Sequence, residues 1–223
     1  MPTLFQTLLG FHIAGGFAGL FSGTISVGAK KGSKLHKTTG KIFFWGMLTA
    51  SIAAIVLSNL PEHNNIFLFA VGGFTLYMIA SGYRIVFLKR KFKTSEPNFT
   101  VLDYLISLFG LCFGLFLIYL AFITIYRGNN FGIVPGVFGI ICLNYARRDF
   151  KMLFQHASIK EIWMPNHITR MMGAMIASYT AFLVVNVKMQ PAWVLWLIPT
   201  LIGSGLITYY LRKFAPKKSA KSV

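Results

Sequence analysis

Long uninterrupted apolar runs dominate this chain, with little of the alternation or narrow striping that marks a half-buried strand or a surface helix. Seven such runs stand out, at residues 3–27, 41–60, 65–88, 100–126, 131–146, 167–187 and 191–211. A helix needs about 20 mostly apolar residues to cross a ~30 Å hydrocarbon core, whereas barrel strands alternate over about 10. The pattern therefore predicts an all-α fold, a seven-transmembrane helical bundle. One transmembrane domain spans 1–212 and a short basic tail follows at 213–223. The fifth run is the weakest, being short and carrying Pro135 near its start.

Polar residues punctuate the runs. Thr100 and Asp103 have capping-box spacing at the head of the fourth span. Pro165 and Asn166 are expected to introduce the sixth, and Pro191 suits the first turn of the seventh. Pro199 is expected to kink that last helix. The first run lacks a basic lead-in and exceeds a normal signal-peptide core, so it reads as a retained span.

Charge adds a direction. Lys30, Lys31, Lys34, Lys37 and Lys41 surround the first connection, and Arg84, Lys89, Arg90, Lys91 and Lys93 the third. Arg147, Arg148, Lys151, Lys160 and Arg170 surround the fifth, and Arg212, Lys213, Lys217, Lys218 and Lys221 follow the seventh span. The opposite side has only Arg127 and Lys188. Excess Lys and Arg marks the cytoplasmic side, so the N-terminus is expected outside and the C-terminus inside, which requires an odd number of crossings. The net charge of +17 is thereby absorbed. Anionic lipid headgroups suffice as its partner, and nucleic acid is not needed. The expected location is a bacterial inner membrane.

Composition agrees. Apolar residues make up 55% and charged residues only 12%, about half the share of an ordinary soluble domain. Two cysteines exclude a disulfide scaffold. Cys112 and Cys142 lack Cys-x-x-Cys spacing and read as structural thiols.

Several segments resemble one another. Ala80-Ser81-Gly82, five residues, then Leu88-Lys89-Arg90 closes the third run; Gly203-Ser204-Gly205, five residues, then Leu211-Arg212-Lys213 closes the seventh. Gly46, Ala50, Ser51 and Ala54 match Gly173, Ala177, Ser178 and Ala181 in spacing, and Gly15, Gly19 and Phe21 more faintly match Gly132, Gly136 and Phe138. These pairs suggest a 3+1+3 parallel repeat. They also suggest that Gly15, Gly19, Gly46, Gly82, Gly173 and Gly205 serve helix packing, with Gly82→Leu and Gly205→Leu both destabilising.

The candidate chemistry lies in histidines. All five acids, Glu62, Glu96, Asp103, Asp149 and Glu161, are expected in loops or first turns, which disfavours an acid proton relay. His12 lies deep in the first run, beside Gly15, Gly16 and Gly19. It is a candidate for binding a ligand, metal or haem, or for a hydrogen bond between helices. His36 and His167 stand at the entries of the second and sixth runs and could be brought together as axial haem ligands or metal ligands. The alternative is that they cap helices at the headgroups. The repeat alignment offsets them by about one turn, ~6 Å. His63 and His156 have no arguable partner. No nucleophile elbow, phosphate loop, dinucleotide fingerprint or His-Glu-x-x-His motif is present, and the chain leans away from an enzyme. Asn98-Phe-Thr100 falls on the expected cytoplasmic side and is set aside as a glycosylation sequon.

The stretch from His12-Ile-Ala-Gly-Gly through Leu35-His36-Lys-Thr-Thr-Gly40-Lys41 and on to Met47 resembles a bacterial family of uncharacterised polytopic membrane proteins. That family has an early intramembrane His and a Leu-His-x-x-x-Gly-Arg entry to its second helix. His167 to Met171 is similar to its later His-Arg element, although here Lys41 replaces the usual Arg and His167 is separated from Arg170. The resemblance implies an inner-membrane helical bundle and supplies no activity. Three readings stand. The first is small-solute binding or transport at the repeat interface. The second is a haem b redox protein using His ligands, and the third a non-catalytic assembly factor. No cofactor is certain, and a small-molecule ligand and the oligomeric state stay open.

Overall fold

A computed structural model describes residues 3–91, 99–155, 159–191 and 193–215. Seven α-helices follow in order: α1 (Leu4–Gly28), α2 (Lys34–Leu57), α3 (Ile66–Lys91), α4 (Val101–Tyr126), α5 (Ile133–Phe154), α6 (Ile159–Asn186) and α7 (Trp193–Lys213). Six of them, all but α5, are long and apolar enough to span a membrane. Their outer faces carry Phe11, Phe17, Phe21, Leu105, Leu201 and Ile202, an apolar surface that water would not tolerate. The protein is an integral multi-pass membrane protein in contact with lipid.

Three boundaries differ from expectation. Ser33 caps α2, accepting the His36 N–H at 3.2 Å, so the helix starts seven residues before the apolar run and takes in His36, Lys37 and Lys41. α5 continues eight residues past Ala146, through Arg147, Arg148, Asp149 and Lys151. That polar last third is why it falls short of a spanning helix by composition. α6 begins at Ile159, so Pro165 lies inside the helix rather than introducing it. Tertiary packing of neighbours lets a membrane helix absorb the missing N–H. α7 likewise runs unbroken through Pro199. The α4 start is as expected, with the Asp103 carboxylate taking the Thr100 N–H at 2.8 Å. α4 ends in a Schellman turn: Asn129 N–H reaches Thr124 O, Gly128 N–H reaches Ile125 O, and Gly128 takes the left-handed φ of 78° that favours glycine.

The helices alternate between two ends of the bundle. At one end Phe5 stacks on His63, and Phe67 meets both Phe131 and Trp196, gathering the N-terminus with the α2–α3, α4–α5 and α6–α7 connections. At the other, Tyr210 near the close of α7 donates to Val27 O at the close of α1, 2.7 Å. The start of α1 and the close of α7 thus lie at opposite ends. Among the described residues, Arg127 and Lys188 are the basic residues of the first end, and the lysine and arginine clusters gather at the second.

Packing centres on α3, whose Ala70, Tyr77, Met78 and Ile79 are fully buried. α1 pairs with α2, α4 with α5, and α3 with α6, while α7 lies against α6. Glycines allow the closest approach. A Cβ on Gly15 would lie 2.7 Å from Gly46 O, and one on Gly46 2.7 Å from Gly15 O, so neither helix can add a side chain there. Gly19 faces Met47, Gly82 faces Arg170, and Gly173 faces Met78. Gly205 departs from expectation: it is exposed and a Cβ would meet nothing within 4 Å, because α7 turns that face outward. The helix neighbours do not display the 3+1+3 pattern either. A repeat of the α1–α2 pair would set α5 beside α6, and among the described residues α5 pairs with α4 instead.

Lys93, Glu96, the Asn98 sequon, His156 and the tail lysines 217, 218 and 221 lie outside the described residues, as do the side chains of Lys91, Lys160 and Glu161.

Candidate functional site

His36 sits in the first turn of α2 and His167 in the third turn of α6, both at the basic end. α2 packs on α3, α3 packs on α6, and the two imidazoles meet across the remaining space with ring centres 6.4 Å apart and planes at 87°. The backbones of α2 and α6 do not come alongside each other among the described residues, so side chains bridge the gap, the two rings here and Ser178 Oγ against Met47 Sδ at 3.4 Å further along. Both histidines lie inside helices, because α2 and α6 start before their apolar runs.

Each ring is anchored on the nitrogen away from the chain's end. His36 Nδ1 lies 3.0 Å from Ser26 O and 3.0 Å from Ser26 Oγ. His167 Nδ1 lies 3.0 Å from Gly82 O. A carbonyl only accepts, so Nδ1 carries the proton in both, and each neutral ring keeps its lone pair on Nε2. Gly82 makes the second bond reachable: a Cβ there would lie 2.9 Å from Arg170 Cβ and hold α6 away. A carbonyl on one ring nitrogen is also how histidines that bind metals are commonly held.

The surroundings are cationic. Lys31 acts on both imidazoles, Lys37 on His36 and Lys89 on His167. Lys31 Nζ donates to Val27 O at 2.7 Å and Ser26 O at 3.1 Å, and it lies 4.2 Å from the centre of the Tyr210 ring. Burial, helped by Lys213, holds its ammonium below the ordinary lysine range. Lys89 lies over the Trp163 ring at 3.3 Å.

His12 is not part of this pair. Its Nδ1 bonds Ala50 O of α2 at 2.9 Å, beside the Gly15–Gly46 contact. Ser26, which holds His36, is 14 residues further along α1, about 21 Å at helical rise.

Two ion pairs lie nearby; Asp103 stands in the first turn of α4 as expected, whereas Asp149, expected in a connection, lies inside α5. Asp149 is only 6% exposed and Arg170 2%. Arg170 grips Asp149 with both terminal nitrogens, Nη1 at 3.1 Å, while Tyr77 donates to the same carboxylate at 2.6 Å. Arg84 grips Asp103 at 2.7 and 2.8 Å, and its Nη2 also reaches Thr100 Oγ1 at 2.8 Å. The signal for both was present: Arg84 and Arg170 fall inside predicted apolar runs, where a charge needs a partner. Between the pairs lies a cavity of about 20 Å³ lined by Ser81, Ser107, Asp103, Asp149 and Asn166 among others, room for one water. Among the described residues no group of three or more His, Cys, Asp or Glu forms a metal cluster, so any metal at the histidine pair would need further ligands from elsewhere. Cys142 is buried and Cys112 exposed.

No family model, curated protein or solved structure matches this chain. The site must be read from its own geometry.

Proposed function

We propose that this protein is a haem b-binding redox component of a membrane, holding the iron between His36 and His167. The observation that carries the reading is the 6.4 Å separation of two rings whose Nδ1 atoms are both tied to carbonyls. A metal held between two imidazoles, each nitrogen about 2 Å away, sets the ring centres roughly 6 Å apart. The perpendicular planes are compatible, because a metal between two imidazoles does not require their planes to be parallel. Haem would bring the rest of its iron's ligands itself, so His36 and His167 would suffice as the protein's share. When bound it supplies one-electron transfer.

The residues do the rest. Ser26 and Gly82 fix the tautomer and angle of the rings, and the lysines favour the haem carboxylates at the headgroup level. The interior of the bundle is filled by Phe74, Tyr77, Met78, Phe113 and Leu117, which does not favour a solute path there. The orientation we propose is N-terminus outside and C-terminus cytoplasmic, in a bacterial inner membrane, with α5 as a seventh crossing. Its 22 residues measure about 33 Å, and the opposite placement of the start of α1 and the close of α7 supports it.

The test is an ultraviolet–visible spectrum of protein purified after haem feeding. A Soret band with low-spin reduced bands is expected, and it should be lost in His36→Ala and in His167→Ala but kept in His12→Ala. A wild-type protein that takes up no haem would end the proposal.

A further inference from the structure

We propose that Lys31 sets the redox potential of the His36–His167 site by acting on the carbonyl that anchors His36. The inference rests on the haem reading above.

Ser26 O receives two donors, the His36 Nδ1–H at 3.0 Å and the Lys31 ammonium at 3.1 Å. Hydrogen bonding at the distal nitrogen controls how basic a ligating imidazole is. A cation on the shared oxygen draws electron density away from Nδ1–H, leaving His36 the weaker donor to a metal. Weaker donation disfavours the higher oxidation state.

The second effect has the same sign. The charge of Lys31 reaches both rings. With two neutral imidazoles, the ferric haem core carries one more positive charge than the ferrous, so a fixed cation nearby favours the ferrous form. The charge is held in place, because Val27 O, Ser26 O and the Tyr210 ring surround it, and Tyr210 is itself fixed to Val27 O. Lys37 acts on His36 alone and Lys89 on His167 alone, whereas Lys31 acts on both rings and donates to Ser26 O.

A purely structural role is also available to Lys31, since it caps the last carbonyls of α1. The experiment separates the two. The full chain, loaded with haem b in nanodiscs, is titrated spectroelectrochemically as wild type, Lys31→Arg, Lys31→Met and Lys31→Gln. Glutamine keeps a donor for the α1 carbonyls without the charge, and it stands in should the methionine variant fold poorly. Both uncharged variants should move the midpoint to lower potential with the Soret band retained, while Lys31→Arg should stay near wild type. A midpoint unmoved in both uncharged variants overturns the inference while leaving the haem reading intact. So does an equal shift in Lys31→Arg, which would assign the effect to capping geometry. Failure of the wild type to bind haem b overturns both together.

Discussion

At positions 36 and 167 two residues of ordinary interfacial appearance become a facing pair, and the reason is local. Each has one nitrogen occupied by a carbonyl, so its orientation is fixed before any ligand arrives. The contrast with His12 is instructive: it has the same kind of carbonyl anchor, but no second imidazole stands opposite among the described residues. The interior ion pair follows a different rule. Removing one partner of a buried pair leaves a charge without compensation, at about 3–5 kcal/mol. Asp149→Ala should therefore lower stability by roughly that amount, and Asp149→Leu with Arg170→Met should recover most of it. Denaturant or thermal unfolding in detergent reads both, and full additivity of the single losses would count against the pairing. Thr75 and Thr180 are buried with hydroxyls that meet no hydrogen-bond partner among the described residues. Thr75→Val should melt at or above wild type, since an unpaired buried hydroxyl contributes nothing that valine lacks.

Among the helices, packing is decided by where glycine meets backbone. Gly46→Leu must push α1 from α2, an overpacking loss of about 1–3 kcal/mol or more, because the obstructing atoms are main chain. Gly205→Leu should leave the melting curve unchanged, and a large loss there would mean that α7 faces a neighbour. Gly205 shares its sequence surroundings with Gly82, which meets Arg170, and only tertiary position separates the two. Helix existence was legible from continuous apolar runs. Helix ends were not, since α2, α5 and α6 extend into polar residues that a hydrophobicity reading assigns to loops. Those extensions are what carry His36 and Asp149 into the bundle.

For the whole molecule, the separation of basic and neutral ends gives a direction that can be measured. In a background lacking Cys112 and Cys142, a membrane-impermeant thiol reagent should label Lys30→Cys from the cytoplasmic face only, and Met189→Cys from the outside only. If α5 does not cross, Met189→Cys and Lys30→Cys will label from the same face.

Membrane class, helix count and charge asymmetry could be read from the chain alone, because burial in lipid is a property of whole segments and survives ignorance of their neighbours. The facing of His36 and His167, the burial of Asp149 with Arg170, and the outward turn of Gly205 could not. Each depends on which helices lie side by side and at what rotation. In lipid that choice is made by close packing and polar pairing between helices, interactions that involve residues far apart in the chain and leave little trace in local composition.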